Sequence, residues 1–311
     1  MSISQTVKKI LPTSVKSWLK NLAKKNQLLN QVSALLGECI CIDVGASYGP
    51  HAKWSYFLHS PKTLWIAVEP NEKNISYIDS WSYPCRIKAI PFGLSQEGGL
   101  KKLYVTNVDT GSSLLEPIIT PSMKHRIQKE ALDYFFPLKT VEIETLSLEE
   151  IIPTEQDSLP ILIKLDTQGS ELSILQGASH LFKKHAIVGI EMESTLLAQP
   201  FMHGSKKFWE ACQYLEEFGL ELLDLTPIRA KTLKGSERGF LNECDAVFAL
   251  RRDVANDLPV KFRVALFGFY LTYQLYEEAY LLLQDDHELR ENFPSLNSGV
   301  DELSSLIYKL M

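Results

Sequence analysis

Three short stretches carry residues whose types and spacing suit chemistry. In "ILIKLDTQGSELSILQGA", residues 161–178, an apolar run admits Lys164 and Asp166 before Gly169 and Glu171. A strand that only had to be buried has no use for that lysine and carboxylate, because an unpaired charge is costly away from water. They make sense if the strand ends at a cavity. In "DVGASYG", Asp43 precedes a turn holding Gly45, Ala46, Ser47 and Gly49, and two glycines four apart let the backbone approach a ligand closely. An acid ahead of that turn opposes phosphate and suits an ammonium or a hydroxyl. In "AVEP", Glu69 follows Asp43 by 26 residues, with Pro70 behind it. That places a carboxylate on a neighbouring strand, where ribose hydroxyls would lie. The three stretches together suit a nucleoside that carries a charged amine.

These residues need a scaffold that brings strand tips together. After Gly37 the chain alternates strand-like and helical runs to about residue 250. "CICIDVG", "LWIAVEP", "RIKAIPFGLS", "ILIKLD", "AIVGIEM", "ELLDLTP" and "CDAVFALR" read as strands, and "HAKWSYFLH", "EKNISYIDSWS" and "SELSILQGASHLFKKH" as helices. A further helix, "KKFWEACQYLEEFG", is expected to bury Phe208, Trp209, Cys212, Leu215 and Phe218. "KKLYVT" and "KTVEIETLSL" read as extra or edge strands around a polar loop. Strands separated by helices imply right-handed crossovers and a mainly parallel sheet covered on both faces. Ligands of such sheets bind beyond the carboxyl ends of the strands, where the strand order reverses.

Dinucleotide folds share the acid on the second strand, but their turn is G-x-G-x-x-G, because pyrophosphate sits on the helix N-terminus. Here the third glycine is missing and Asp43 occupies the approach, which disfavours a nicotinamide-dependent oxidoreductase. A cofactor with a nucleoside and an amino acid but no phosphate matches better, namely S-adenosyl-L-methionine.

"IDVGASYG", "AVEPN", the turn "GLSQEGG" and above all "IKLDTQGSELSILQGA" resemble the FkbM-type methyltransferases. The last stretch matches that family's K-[IL]-D-x-x-G-x-E-x-x-[IVL]-L-x-G-A run at Lys164, Asp166, Gly169, Glu171, Leu175, Gly177 and Ala178. "DTGSSLL" is similar to a serine-bearing loop of the family, and the resemblance covers about residues 38–250. It implies the α/β class I methyltransferase fold, Rossmann-like, with a seven-stranded mainly parallel sheet in the order 3-2-1-4-5-7-6. It also implies S-adenosyl-L-methionine as donor and O-methylation of a sugar, glycan or natural product. Asp43, Gly45, Ala46, Ser47, Gly49, Glu69, Pro70, Gly93, Leu94 and Asp166 are then the expected cofactor-binding residues. Asp166, Lys164 and His203 are the candidates for catalysis. In the implied order the Asp43 and Asp166 strands are neighbours, and Asp166 stands at the mouth of the donor site. It could hold the donor's amino acid portion, orient an acceptor hydroxyl or take its proton. Lys164 also reads as the partner of a buried acid, and Glu171 as an acid in a first helical turn beside a tight glycine turn. One of Glu191 and Glu193 is expected to face the cavity, and Trp54 and nearby tyrosines would suit a sugar ring. His203 lies in the loop after the next strand, and His51 opens a helix. No His and carboxylate pair stands at ligand spacing, so no metal site is expected. The alternative is a non-catalytic binding or scaffold protein of the same fold.

The 311 residues carry a formal charge of −6, 45% apolar and 23% charged residues, a globular composition with no global attraction to nucleic acid. Residues 1–37 hold six lysines and no acid. Their apolar residues fall at helical spacing, so they read as an amphipathic cap with at most a peripheral membrane contact. The expected division is this cap at 1–37, the methyltransferase domain at 38–251 and a helical appendage at 252–311, where "KFRVALFGFYLTYQLYEEAYLLLQ" precedes "VDELSSLIYKLM". Homodimer contact is one use for such ends, and the acceptor is expected to be a small molecule or glycan. Five cysteines, mostly inside apolar runs, suit a reducing compartment. With no visible secretory segment and no apolar run of about 20 residues, the expected location is cytoplasmic.

Overall fold

The computed structural model describes residues 26–121, 124, 129–132, 135–153, 158–198, 200–229, 239 and 241–291. Most of the lysine-rich segment, and the helix expected in "VDELSSLIYKLM", lie outside the described residues. A helix, α1, covers residues 26–35. Then come β1 (Cys39–Val44), a 3₁₀ turn (Ala52–Trp54) running into α2 (Ser55–Leu58), β2 (Thr63–Val68), α3 (Glu72–Asp79) and β3 (Arg86–Ile90). Three strands leave the alternation: β4 (Gly93–Leu94), β5 (Gly99–Thr106) and β6 (Pro137–Leu146). It resumes with β7 (Ile161–Leu165), α4 (Glu171–Gln176), α5 (Ser179–Lys183), β8 (Ile187–Thr195), α6 (Phe208–Glu216), β9 (Leu220–Arg229) and β10 (Leu241–Leu250). Four helices follow: α7 (Arg252–Asn256), α8 (Val260–Thr272), α9 (Tyr276–Asp285) and α10 (His287–Glu291).

Seven strands form one sheet in the order β3-β2-β1-β7-β8-β10-β9. Counted along the chain within that sheet, this is 3-2-1-4-5-7-6, the expected order. It reverses between β1 and β7, which pair in parallel, while β10 runs antiparallel to both β8 and β9. Every residue of β1 and β2 is buried, as a parallel sheet covered on both faces requires. Cys39, Cys41, Cys85 and Cys244 are buried thiols and Cys212 is half-buried.

Several elements differ from the expectation, each for a physical reason. "RIKAIPFGLS" is two strands, because Pro91 has no N–H for the ladder. The first part stays in the main sheet, and Gly93–Leu94 moves to a second, three-stranded sheet, β4-β6-β5. "SELSILQGASHLFKKH" is two helices, broken at Gly177. A Cβ there would lie 2.4 Å from the Gln96 carbonyl oxygen, so this glycine lets the "GLSQEGG" turn pack directly on the end of α4. Trp209 of α6 is 52% exposed, not buried, and lies beneath the Lys207 ammonium.

The C-terminal apolar run turns at Gln274, whose φ is +59°, and so becomes α8 and α9. Helix α8 is buried from Phe262 to Thr272, as a helix with apolar residues on every face must be, and its one buried charge, Arg263, pairs with Asp286 and Glu288. Residues of α1, α8, α9 and α10 belong to the same hydrophobic core as the sheet, so the described parts of both ends pack with the domain. Among the described residues no helix is long and apolar enough to cross a membrane.

Candidate active site

The tips of β1, β2 and β7 meet where the strand order reverses. Gly45 and Ala46 donate their amides to the Val68 carbonyl oxygen, at 3.0 and 3.2 Å, and Asp166 donates its amide to the Val44 oxygen at 3.1 Å. Gly45, at φ +77°, faces the neighbouring turn: a Cβ on it would lie 2.1 Å from the Asp166 carbonyl oxygen. The glycine therefore admits the next strand's turn, which sequence spacing alone had not suggested. Gly45 and Asp166, 121 residues apart in the chain, are in direct backbone contact.

Glu69 builds the turns around it. Its two oxygens accept from the Ser47 amide at 2.9 Å and the Asn71 amide at 2.8 Å, and Asn71 also caps α3 through the Lys73 amide. Burial pushes the Glu69 carboxyl up, against those amide donors. Glu171 does the same for the 166–170 turn, accepting from the Thr167 amide at 2.8 Å and from the Gly169 amide. It is buried among these donors, and burial pushes its carboxyl up against them. The glutamate of the motif thus shapes the turn and the aspartate occupies it.

Behind the tips lies a row of charges on one face of the sheet. Asp43 pairs in register with Lys164, and Lys164 with Glu191. The Lys164 ammonium stands 3.4 Å from Asp43 and 3.6 Å from Asp166. Burial works against its charge, but the carboxylates of Asp43, Asp166 and Glu191 outweigh that and raise it above its ordinary range. Burial pushes the Asp43 carboxyl up, against the pull of Lys164. Glu191 accepts from Lys53, in the 3₁₀ turn ahead of α2, and from the Tyr273 hydroxyl after α8. The row needs its lysines, since a buried acid without a partner is strongly destabilising. Neither Lys53 nor Tyr273 carries any signal in the sequence, because their partner lies more than 80 residues away.

A cleft of about 800 Å³ opens over these tips. Of the expected residues, Gly45, Ser47, Glu69, Pro70, Gly93, Leu94 and Asp166 line it. Asp43, Ala46 and Lys164 lie behind its wall, and Gly49 packs on Trp81 instead. His203 is exposed on the loop after β8, away from the cleft lining, with its amide on the Glu116 carbonyl oxygen. His51 accepts from the Lys53 amide and caps the 3₁₀ turn. Trp54 is buried against Trp65, Phe269 and Tyr273, and no aromatic ring lines the cleft among the described residues. The "DTGSSLL" loop does line it, through Asp109, Thr110, Ser112 and Ser113. Ser113 donates to the Gln168 carbonyl oxygen at 2.9 Å, and Asp109 accepts from the Tyr48 hydroxyl at 3.1 Å.

Beyond Asp166 the same face carries a second group of acids. Gln168 donates to Asp166 at 3.1 Å and to Glu193 at 2.6 Å, so Glu193 faces a small recess beside the cleft and Glu191 does not. Burial, then the charges of Glu171, Asp166 and Asp245, push the Glu243 carboxyl up to about 7. No group of three potential ligands among the described residues is placed to hold a metal ion.

The family model described as the methyltransferase FkbM domain matches residues 43–222. No curated protein matches the chain. Among solved structures, a SAM-dependent methyltransferase from Agrobacterium tumefaciens aligns at 11% identity with a TM-score of 0.32. That alignment covers 74% of this chain and 62% of the other, less than two thirds of its length. The 1,6-didemethyltoxoflavin-N1-methyltransferase of Burkholderia thailandensis aligns at 12% identity and a TM-score of 0.30, over 72% and 79% of the two chains. The TYW2 protein of M. jannaschii, solved with AdoMet, aligns at 11% identity and 0.29, over 73% and 77%.

Proposed function

Since the chain belongs to the methyltransferase FkbM domain family, we propose that it transfers a methyl group from S-adenosyl-L-methionine to a hydroxyl of an acceptor molecule. The observation that carries this reading is the meeting of Gly45, Glu69 and Asp166 on one wall of the cleft, at the strand-order reversal. The residues present fit the donor. The Glu69 carboxylate lines the cleft and retains lone pairs for ribose hydroxyls. The Ser47 hydroxyl is buried without a hydrogen-bond partner among the described residues. The acids at Asp166 and Glu69, which line the cleft, suit a cation.

When bound, the donor supplies an electrophilic methyl on a positively charged sulfur. The acceptor oxygen forms the new carbon–oxygen bond as the carbon–sulfur bond breaks, and the electron pair of that bond stays on sulfur. The proton of the acceptor hydroxyl goes to Asp166, whose side chain is 47% exposed at the cleft. Lys164, 3.6 Å from Asp166, keeps that carboxylate in place from behind. Most of the rate gain comes from holding acceptor, methyl and sulfur in line, and a base adds about 10²–10⁴-fold.

Isothermal titration of the full chain with S-adenosylhomocysteine tests the donor site. Binding with a Kd in the micromolar range, lost in Gly45→Val, is the expected result. Absence of binding by the wild-type chain would overturn the reading.

A further inference from the structure

The opposite wall of the cleft comes from outside the seven-stranded sheet. Leu103 and Val105 of β5, with Val141 and Ile143 of β6, line it, and Leu103 lies directly across from Val141 in register. Leu114, from the serine-bearing loop, continues the same apolar surface. The four strand residues are half-buried, so they are not packed away into a core. An apolar side chain held half-exposed in a concave wall is available to a ligand.

This wall extends past the donor's end of the cleft. Ile143 belongs to that end, because a Cβ on Gly93 would lie 3.0 Å from its Cδ1. Val141 and Lys139 follow it on the same face of β6, and at about 3.4 Å per residue the surface runs on for roughly 13 Å. The cleft volume of about 800 Å³ is near the top of the ~300–1,000 Å³ range of small-molecule sites, which leaves room for a second molecule beside the donor. That molecule must reach the methyl group, so it is the acceptor.

We propose that the acceptor carries an aliphatic chain or alicyclic ring that lies on Leu103, Val105 and Val141, so that its substrate class is an amphiphilic hydroxyl compound and not a free sugar. The proposal rests on the reading of this cleft as a methyl-transfer site. A free sugar needs polar partners around its edge and gains from an aromatic ring against its face. On this wall Lys139 is the polar side chain beside Leu103, Val105, Val141 and Ile143, and no aromatic ring among the described residues lines the cleft. An apolar body seated here excludes water beside the reacting hydroxyl, which strengthens the interactions of Asp166 with it.

The test uses the full chain saturated with S-adenosylhomocysteine and titrated with glucose and with hexyl, heptyl and octyl β-D-glucoside below their micelle thresholds. The expected result is no heat with glucose and an affinity that rises about threefold per added methylene. In Val141→Asp and in Leu103→Asn the rise disappears, while S-adenosylhomocysteine affinity stays within about threefold of wild type. Leu222→Asp, at an exposed leucine on β9, leaves the rise intact and separates the cleft from general adsorption. An affinity independent of chain length in wild type overturns the proposal. So does a fall in S-adenosylhomocysteine affinity in Val141→Asp that matches the loss of glucoside binding, since the wall would then serve the nucleoside. Val141→Ala, which retains the fold more readily, should lower octyl glucoside affinity several-fold with the same donor affinity. If the wild-type chain does not bind S-adenosylhomocysteine, the methyl-transfer reading fails by itself. The glucoside series without it then still decides whether the wall binds an apolar chain.

Discussion

The two walls of the cleft are built by opposite means. The strand-tip wall is polar and over-determined. Each oxygen of Glu69 and Glu171 has a backbone amide to accept from, Gly45 is pressed on the Asp166 backbone, and a row of ion pairs lies behind. The β5–β6 wall is largely apolar, half-exposed and held by its own ladder, the short β4 and a backbone bridge from Tyr104 to Ser113. A polar site needs each donor and acceptor fixed, because an unsatisfied buried group costs about 1–3 kcal/mol. An apolar surface needs only shape, so it tolerates substitution and suits the part of a site that varies with its ligand.

The sharpest test of that contrast is Gly45→Val. A left-handed φ and a 2.1 Å contact forbid a side chain there, and S-adenosylhomocysteine affinity should fall by more than about 100-fold, as titration calorimetry would show. A substitution as large as Leu103→Ser on the opposite wall should change it by less than about threefold. Asp166→Ala comes next: turnover should drop by about 10²–10⁴-fold, measured with any acceptor found, while S-adenosylhomocysteine affinity changes far less. Equal losses in both would place Asp166 in donor binding. Glu69→Gln keeps the shape of the side chain but replaces one charged acceptor by an amide. Hydrogen bonds to charged groups contribute roughly 1.5–3 kcal/mol, so the dissociation constant should rise by about 10- to 100-fold.

The smallest effect concerns the acids beyond Asp166. Glu243 has a folded-state pKa of about 7, above its ordinary value. Its proton is held more tightly in the folded chain, so the stability it contributes is complete below its unfolded pKa and is lost as pH rises through about 7. Calorimetric melting should therefore show wild type weakening from pH 5 to pH 8 by an amount of order 1–3 kcal/mol. Glu243→Gln should flatten that slope and melt higher than wild type at pH 8. An unchanged slope would mean that the Glu243 carboxyl is not held protonated by burial.

Periodicity and motif spacing were enough to read the alternating strands and the residues at their tips, and the resemblance to the FkbM-type methyltransferases supplied the reversal beside β1. Those signals are local. Apolar period 2 and period 3.6 are written into consecutive residues, and a turn that must approach another backbone needs glycine wherever it occurs. Seven of the donor-site residues that the resemblance implied line the cleft. Other features are set by contacts between segments far apart in the chain. The pairing of Lys53 and Tyr273 with Glu191 joins residues 138 and 82 positions apart, and each reads in the sequence as an ordinary lysine or tyrosine. The burial of Trp54 and of all α8 depends on what packs over them, as does the exposure of Trp209. The apolar wall was equally hidden: β5 and β6 were legible as strands, but only their pairing in a second sheet turned Leu103 toward Val141 and both toward the cleft. Sequence by itself determined which residue types could bind and react, since chemistry resides in side chains. Tertiary structure decided which of them share a cavity, because distance in space is settled by packing and not by order along the chain.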